Sequence, residues 1–460
     1  MSKSWPKTVT DMHSNNTPSD APEPASHKHA LAEGAAAPED AKRARVGDEP
    51  PNALAKRKVA LLLAYNGDGY SGLQINPDVE TIEKTLEEAI YRAGGISEAN
   101  HGVTTPTLQK VSWSRAGRTD KGVHAVGQII SLKMILEPES MLDRINEQLT
   151  GSGVQLLAYE RVNNSFCAHT MCSAREYEYL LPERILAPSA ADAAPSVPTD
   201  AAASIAADAA VVAPNAAATA IPGAAAATVP LSPDGVSRLR KLLRKLEGTH
   251  SFHNFTDVKV TSADKTATRF MISFTTGEPL ELAGVSYVPF RFHGQSFLLH
   301  QIRKMVGLVV ATFRGDVPPD AIDVAFGPGR IAPIPMAPSC ALVLRRCLYT
   351  PYERKRNAEK FCDRNSVHFP AQDAAKEAFL TTSILPHIAK AEASGEFDRF
   401  AEALGAYTIE RPAIVAPVDG GAESGEGAHA PGEVVPGVTA EASRRSSSSN
   451  APCDLVGQGE

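Results

Sequence analysis

The sequence predicts an α+β fold in which helices pack on a sheet. Val59 to Tyr65 is an unbroken apolar run ending in a glycine-rich loop, the pattern of a buried strand. Two stretches far apart in the chain carry helical apolar spacing, one over Ile82, Leu86, Ala89, Ile90 and Ala93 and the other through Phe297 to Arg314. Strand and helix patterns alternate in the same order in both halves, which indicates helices on a sheet rather than a bundle or a sandwich.

Taken in order, the strand Val59–Tyr65 is followed by a helix that starts near Thr81 and stops at Gly94-Gly95. A Val/Ile-rich strand over Val126–Lys133 and another over Tyr177–Leu181 complete a first subdomain, 56–186. Residues 187–230 hold 21 alanines in 44 positions and no lysine or arginine. Pro188, Pro195, Pro198, Pro214 and Pro222 would interrupt any helix there, so a flexible insertion between two folded halves is expected. The second subdomain, 231–350, opens with a helix over Ser237–Glu247, striped by Leu239, Leu242, Leu243 and Leu246 and capped by Gly248. Strands near 269–275 and 287–293, the helix Phe297–Arg314 and a strand over Leu342–Leu348 follow. From 351 to 407 a charged helical extension presents Phe379, Leu385, Ile388, Phe397, Phe400 and Leu404 as anchors for docking on the core, as a brace or as a further contact surface. Residues 1–55 and 408–460 have the composition of disordered tails.

The 460 residues carry a net charge of −7. The two tails contribute −2 and −5 and the insertion −3, which leaves the folded part at +3 and permits a phosphate-facing groove. The cysteines at 167, 172, 340, 347, 362 and 453 form no Cys-x-x-Cys pair, so reduced thiols in an intracellular compartment are expected and a zinc site has no ligand spacing to support it. No apolar run reaches the roughly 20 residues of a membrane span, and the N-terminus lacks a signal-peptide core, so a soluble protein is expected. Lys42-Arg43-Ala44-Arg45 and Lys56-Arg57-Lys58 are candidate nuclear import signals or nucleic-acid contacts.

The most informative stretch is Arg115-Ala116-Gly117-Arg118-Thr119-Asp120-Lys121-Gly122-Val123. Cations at 115, 118 and 121 favour ionised Asp120, so a lowered pKa and a role as an anionic nucleophile or electrostatic stabiliser are expected. The glycines let a short loop present that side chain at a cleft. In the helix Phe297–Arg314, Arg303 falls within the stripe Leu299, Val306, Val310 and Phe313. A buried guanidinium requires an anionic partner, and pairing with Asp120 across the cleft is the sharpest expectation. His250, His253, His293 and His300 are candidates for ligand or structural hydrogen bonds.

The loop 115–123 closely resembles the active-site loop of the TruA-type pseudouridine synthases. Tyr65-Asn66-Gly67-Asp68-Gly69-Tyr70-Ser71-Gly72-Leu73-Gln74 resembles the family's first-strand signature, Ala174-Arg175-Glu176-Tyr177-Glu178-Tyr179 its tyrosine-bearing strand, and 292–307 its helix. His253-Asn254-Phe255-Thr256 and the closeness of the helix match point to the eukaryotic nuclear tRNA pseudouridine synthase subfamily.

The resemblance spans about 57–350 and implies two similar subdomains with a mainly antiparallel sheet, a cleft between them, nuclear localisation, and isomerisation of uridine in tRNA. Small nuclear RNA and mRNA are further candidate substrates, no cofactor is implied, and monomer and homodimer both stay open. It implies Asp120 as the essential carboxylate, either a nucleophile or the initiator of base elimination, and Tyr177 under the flipped uracil. Arg118 would orient the flipped nucleotide's phosphate or fill the space the base leaves, and Leu342 would wall the pocket. Two positions depart from the family pattern. His169 stands where an arginine or lysine is usual, and Ala341 replaces the glycine before the pocket leucine. A catalytically silent RNA-binding module and a hydrolase of N-glycosidic bonds are the rival readings.

Overall fold

The computed structural model describes residues 56–136, 140–188, 231–357 and 365–409. The tail before residue 56, the tail from 410 onward, residues 189–230 of the expected insertion, the 42–45 basic cluster, Cys362 and Cys453 lie outside the described residues. In chain order the first elements are β1 (Lys56–Tyr65), α1 (Ile82–Arg92), α2 (Thr105–Lys110), β2 (Ser114–Arg115), β3 (His124–Ile135), α3 (Met141–Leu149), β4 (Val154–Arg161) and β5 (Ala174–Pro182). Then come α4 (Pro233–Arg244), β6 (Gly248–Ser251), β7 (Thr268–Thr276), β8 (Leu280–Leu282), β9 (Val285–Gly294), α5 (Gln301–Arg314) and α6 (Ala321–Phe326). Last are β10 (Leu342–Leu348), α7 (Thr350–Lys355), α8 (Asp373–Phe379), α9 (Leu385–Ala393) and α10 (Glu396–Gly405). No helix among the described residues is long and apolar enough to cross a membrane.

β1 is apolar without alternation because it lies between β3 and β4, and every residue from Lys58 onward is buried. Lys56-Arg57-Lys58, expected as an import signal or a nucleic-acid contact, is the start of this strand. Lys58 is buried, with its Nζ donating to Ser112 O at 2.8 Å, while Lys56 and Arg57 are exposed. One sheet follows the path β4-β1-β3-β10-β5-β9-β7-β6, with β2 added to β3 and β8 to β9. Its pairings are antiparallel except β3 with β10, which meet only through Val343↔His124 and Leu344↔Ala125. The α+β expectation therefore holds, with two halves fused along that short parallel seam. β5, expected in the first subdomain, pairs with β9 and β10 and so lies on the second half's side of the sheet.

Three helix boundaries differ from their apolar periods. α4 begins earlier than expected because Ser232 Oγ accepts from Gly235 N–H at 3.1 Å and Pro233 suits a first helical turn. It ends at Arg244, and Gly248, expected as its cap, instead opens β6 with φ +93. α5 starts at Gln301 rather than Phe297 because His300 has φ +61, which a right-handed helix cannot contain. Leu299 consequently leaves the expected stripe and is 53% exposed. The remainder of α5 buries Ile302, Met305, Val306, Val309, Val310 and Phe313, on the order of 10 kcal/mol of gross hydrophobic stabilisation before conformational entropy is subtracted.

The helical extension docks as its pattern predicts, with Phe379, Leu385, Ile388, Phe397, Phe400 and Leu404 all buried. It also reaches the loop after β1, where Asn66 Nδ2 donates to Ser383 O at 3.1 Å and His387 Nδ1 lies 3.5 Å from Asp68 Oδ2. These contacts make the extension a brace for that loop.

Candidate active site

A cleft of about 620 Å³ opens between the loop after β2 and the start of α5. The loop is held from three directions. Glu83 on α1, fully buried, accepts from Arg115 Nε at 2.6 Å, Trp113 Nε1 at 2.8 Å and Ile75 N–H at 3.0 Å. Gln128 on β3 donates to Gly117 O at 2.9 Å. Thr119 accepts from Leu73 N–H through its carbonyl at 3.1 Å and shares a 2.8 Å hydrogen bond with the Tyr65 hydroxyl. The chain around 67 can lie this close only because Gly67 has no side chain. A Cβ there would sit 2.3 Å from Val123 O.

Asp120 projects from this loop with a fifth of its side chain exposed, and its Oδ2 is 3.9 Å from His300 Nε2. His300 immediately precedes α5, so the carboxylate also faces the positive end of a helix dipole. Burial nevertheless dominates and pushes the Asp120 pKa up, against the lowering influence of His300, Arg303 and the His300 backbone amide. The lowered pKa expected from residues 115, 118 and 121 is therefore wrong in direction, because those cations face elsewhere. Arg115 is bound to Glu83, and Arg118 and Lys121 are exposed. The His300 imidazole is itself pushed down by burial, which favours its neutral form.

The direct Arg303–Asp120 pair is likewise replaced. Arg303 is half-buried rather than buried, its Nε donates to Ala337 O at 2.6 Å, and it acts on Asp120 through space without an ion-pair contact. α5 can approach the 335–337 segment because a Cβ on Gly307 would meet Pro335 O at 2.0 Å.

Tyr177 on β5 is buried in the cleft floor, edge to face with Phe297 at 5.3 Å and 84°. Burial pushes its hydroxyl far above the usual tyrosine range, so it remains a neutral donor and acceptor. Leu342, at the start of β10, is 5% exposed and lines the same space. Ala341 before it is fully buried, so its methyl is accommodated. His169 also lines the cleft. Burial and then Arg175, Arg115 and Arg118 push it down, which favours its neutral form at the position where the family pattern has an arginine or lysine.

Asp120, Tyr177, Arg118, Arg303 and Leu342 thus share the walls of one cleft. Of the four other candidate histidines, only His300 is there. His250 stacks on Phe326 at 4.2 Å, and His253 is buried against Asn254 and Gly329 O. The residue-by-residue reading missed Arg175, Arg269, Phe297 and Glu83. Arg175 was legible, since it precedes Tyr177 by two positions on a strand and so shares its face. Its Nη atoms donate to Ala116 O and Gln295 O, which ties the aspartate loop to the segment before α5. Arg269 and Glu83 carry no local signal.

The sequence pattern described as tRNA pseudouridine synthase matches residues 242–350. The chain is 33% identical over 357 residues to the Mus musculus protein called pseudouridylate synthase 1 homolog, covering 76% of this chain and 75% of that relative. Against tRNA pseudouridine synthase 1 of Yarrowia lipolytica the identity is 33% over 374 residues, 70% of this chain and 69% of the relative. The Homo sapiens pseudouridylate synthase 1 homolog is 34% identical over 337 residues, 72% of this chain and 68% of its own.

Proposed function

The chain belongs to the tRNA pseudouridine synthase family, and from that membership we infer that it isomerises uridines of tRNA to pseudouridine with Asp120 as the reacting carboxylate. The single observation that carries the site assignment is that Asp120 is the one acidic side chain among the described residues lining the cleft, against arginines at 115, 118, 175, 269 and 303.

The reaction breaks the N1–C1′ bond, turns the base over and joins C5 to C1′, without redox change or group donor. Ionised Asp120 suits a direct attack on the ribose and equally the initiation of base elimination. Its raised pKa makes it a more basic oxygen than a solvated carboxylate, which helps either step, while Arg303 and the helix end keep the anion accessible near neutral pH. Extruding the uridine from a stem costs a few kcal/mol, and the Tyr177–Phe297 pair offers the ring surface that would hold it. Arg118, exposed at the rim, would meet the phosphate backbone. The same phosphate chemistry extends to small nuclear RNA and mRNA as secondary substrates. Nuclear localisation rests on the subfamily resemblance and the 42–45 basic cluster. Its check is the distribution of a tagged chain with Lys42, Arg43 and Arg45 replaced by alanine.

The test of the activity is isomerisation of unmodified tRNA by the wild-type protein and by Asp120→Ala, with products examined by mass spectrometry and filter binding in parallel. Pseudouridine of unchanged mass from the wild type, none from the variant and equal RNA binding are expected. Free uracil would assign a hydrolase, and binding without turnover in either protein would assign a silent module.

A further inference from the structure

The cleft has two electrostatic poles. At one, Asp120 faces His300 and Arg303. At the other, Arg118, Arg175 and Arg269 line the wall with His169 and Thr170, and no acidic side chain among the described lining residues answers them. Arg115 is already engaged by buried Glu83. The second pole is partly buried and crowded with like charge: burial and then Arg175 push Arg269 down, burial and then Arg115 push Arg118 down, and burial and then Arg175, Arg115 and Arg118 push His169 down. Such crowding in a partly dry cleft is relieved when an anion enters.

Arg269 is built to receive one. Its Nη1 donates to the carbonyls of Thr266 and Thr268, which orients the guanidinium at the cleft wall and leaves Nη2 without a partner among the described residues. Arg269 belongs to β7 in the second half, and it lines the same cleft as Arg118 of the aspartate loop in the first. A flipped uridine carries a phosphodiester on each side of its ribose, and the Asp120 pole handles the sugar itself. We propose that Arg269, beside Arg175, seats a backbone phosphodiester of the RNA strand that enters the cleft. This rests on the RNA reading of the site. It assigns to Arg269 the register of the strand, separately from the chemistry at Asp120.

The test uses the full chain and an unmodified tRNA transcript. Arg269→Ala should raise KM about tenfold with kcat changed no more than about twofold. The slope of log binding constant against log salt should become shallower by about 0.7 to 0.9. Phosphate-ethylation interference should lose one position that blocks the wild type, and Arg269→Lys should retain the wild-type slope. An unchanged slope with an unchanged interference pattern overturns the proposal. So does an equal binding loss in Arg269→Lys and Arg269→Ala without a slope change, which would confine Arg269 to holding the 266–268 turn. If the wild type isomerises no uridine while Arg269→Ala still lowers the slope, the activity reading fails and the phosphate seat stands.

Discussion

His300 is held in the left-handed backbone region at φ +61, and in that strained position its Nε2 lies 3.9 Å from Asp120 Oδ2. A non-glycine residue adopts this conformation at a cost of about 1 kcal/mol or more, so the start of α5 carries strain where it meets the reacting carboxylate.

Replacing His300 with glycine keeps the backbone unstrained and removes only the imidazole. In acid, where Asp120 titrates, a protonated His300 favours the carboxylate, so its loss raises the Asp120 pKa further. The acid limb of kcat/KM should therefore move to higher pH than in the wild type, read from a pH–rate profile. A limb that stays in place or moves down would remove His300 from the electrostatics of the site.

Arg303 lowers the Asp120 pKa through space while its Nε anchors Ala337 O. Arg303→Leu should reduce kcat by about 10²-fold, the scale of losing one preorganised charge, and Arg303→Lys should recover part of it. Single-turnover kinetics with saturating enzyme make the comparison, and wild-type rates in Arg303→Leu would rule out an electrostatic role.

Glu83→Gln keeps an acceptor oxygen but removes the charge that balances Arg115 in a site where both side chains are under a tenth exposed. The uncompensated guanidinium should cost about 3–5 kcal/mol in urea unfolding, with activity falling as the aspartate loop loosens. Stability within about 0.5 kcal/mol of wild type would show that the loop is held by its other bonds.

His124, fully buried, accepts from Gly67 N–H at 2.9 Å through Nδ1 and donates from Nε2 to Cys340 O at 2.8 Å, so it must be neutral. Burial and the neighbouring His387 push it from 6.5 down to about 4. Between those values the unfolded chain binds a proton that the folded chain refuses, so stability falls as pH falls, by up to about 3 kcal/mol from this group. His124→Gln should flatten that part of the urea-midpoint profile between about pH 7 and about pH 4.5. An equally steep profile would place the acid sensitivity elsewhere.

The contrast between legible and hidden features is instructive at these residues. Strand β10 and the anchors of the C-terminal helices followed from short-range apolar pattern alone. Asp120, Tyr177 and Leu342 came from motifs that fix where a loop or strand presents one side chain. Arg303 was expected to act on Asp120, but the upward direction of the Asp120 shift and the part played by His300 did not follow, because local order does not say where a charge goes. Arg115 turns to Glu83, and the groups that act on Asp120 arrive from His300 and Arg303 in the other half. The start of α5 was hidden for a similar reason, since Leu298 and Leu299 fit the helical period and nothing in their types reveals the reversed φ at His300.

The position of β10 has a consequence for how the molecule comes into being. It is the last strand among the described residues, yet it lies between β3 and β5 near the middle of the sheet. During synthesis β1, β3 and β4 can join early, and β5, β9 and β7 can join later, but among the described residues these two pieces share no direct pairing. Until residues 342–348 leave the ribosome, the growing chain carries two open sheet edges facing each other, the very surfaces most prone to wrong partners. The cleft is complete only once that late strand has closed the gap and brought Leu342 to the wall it shares with the aspartate loop.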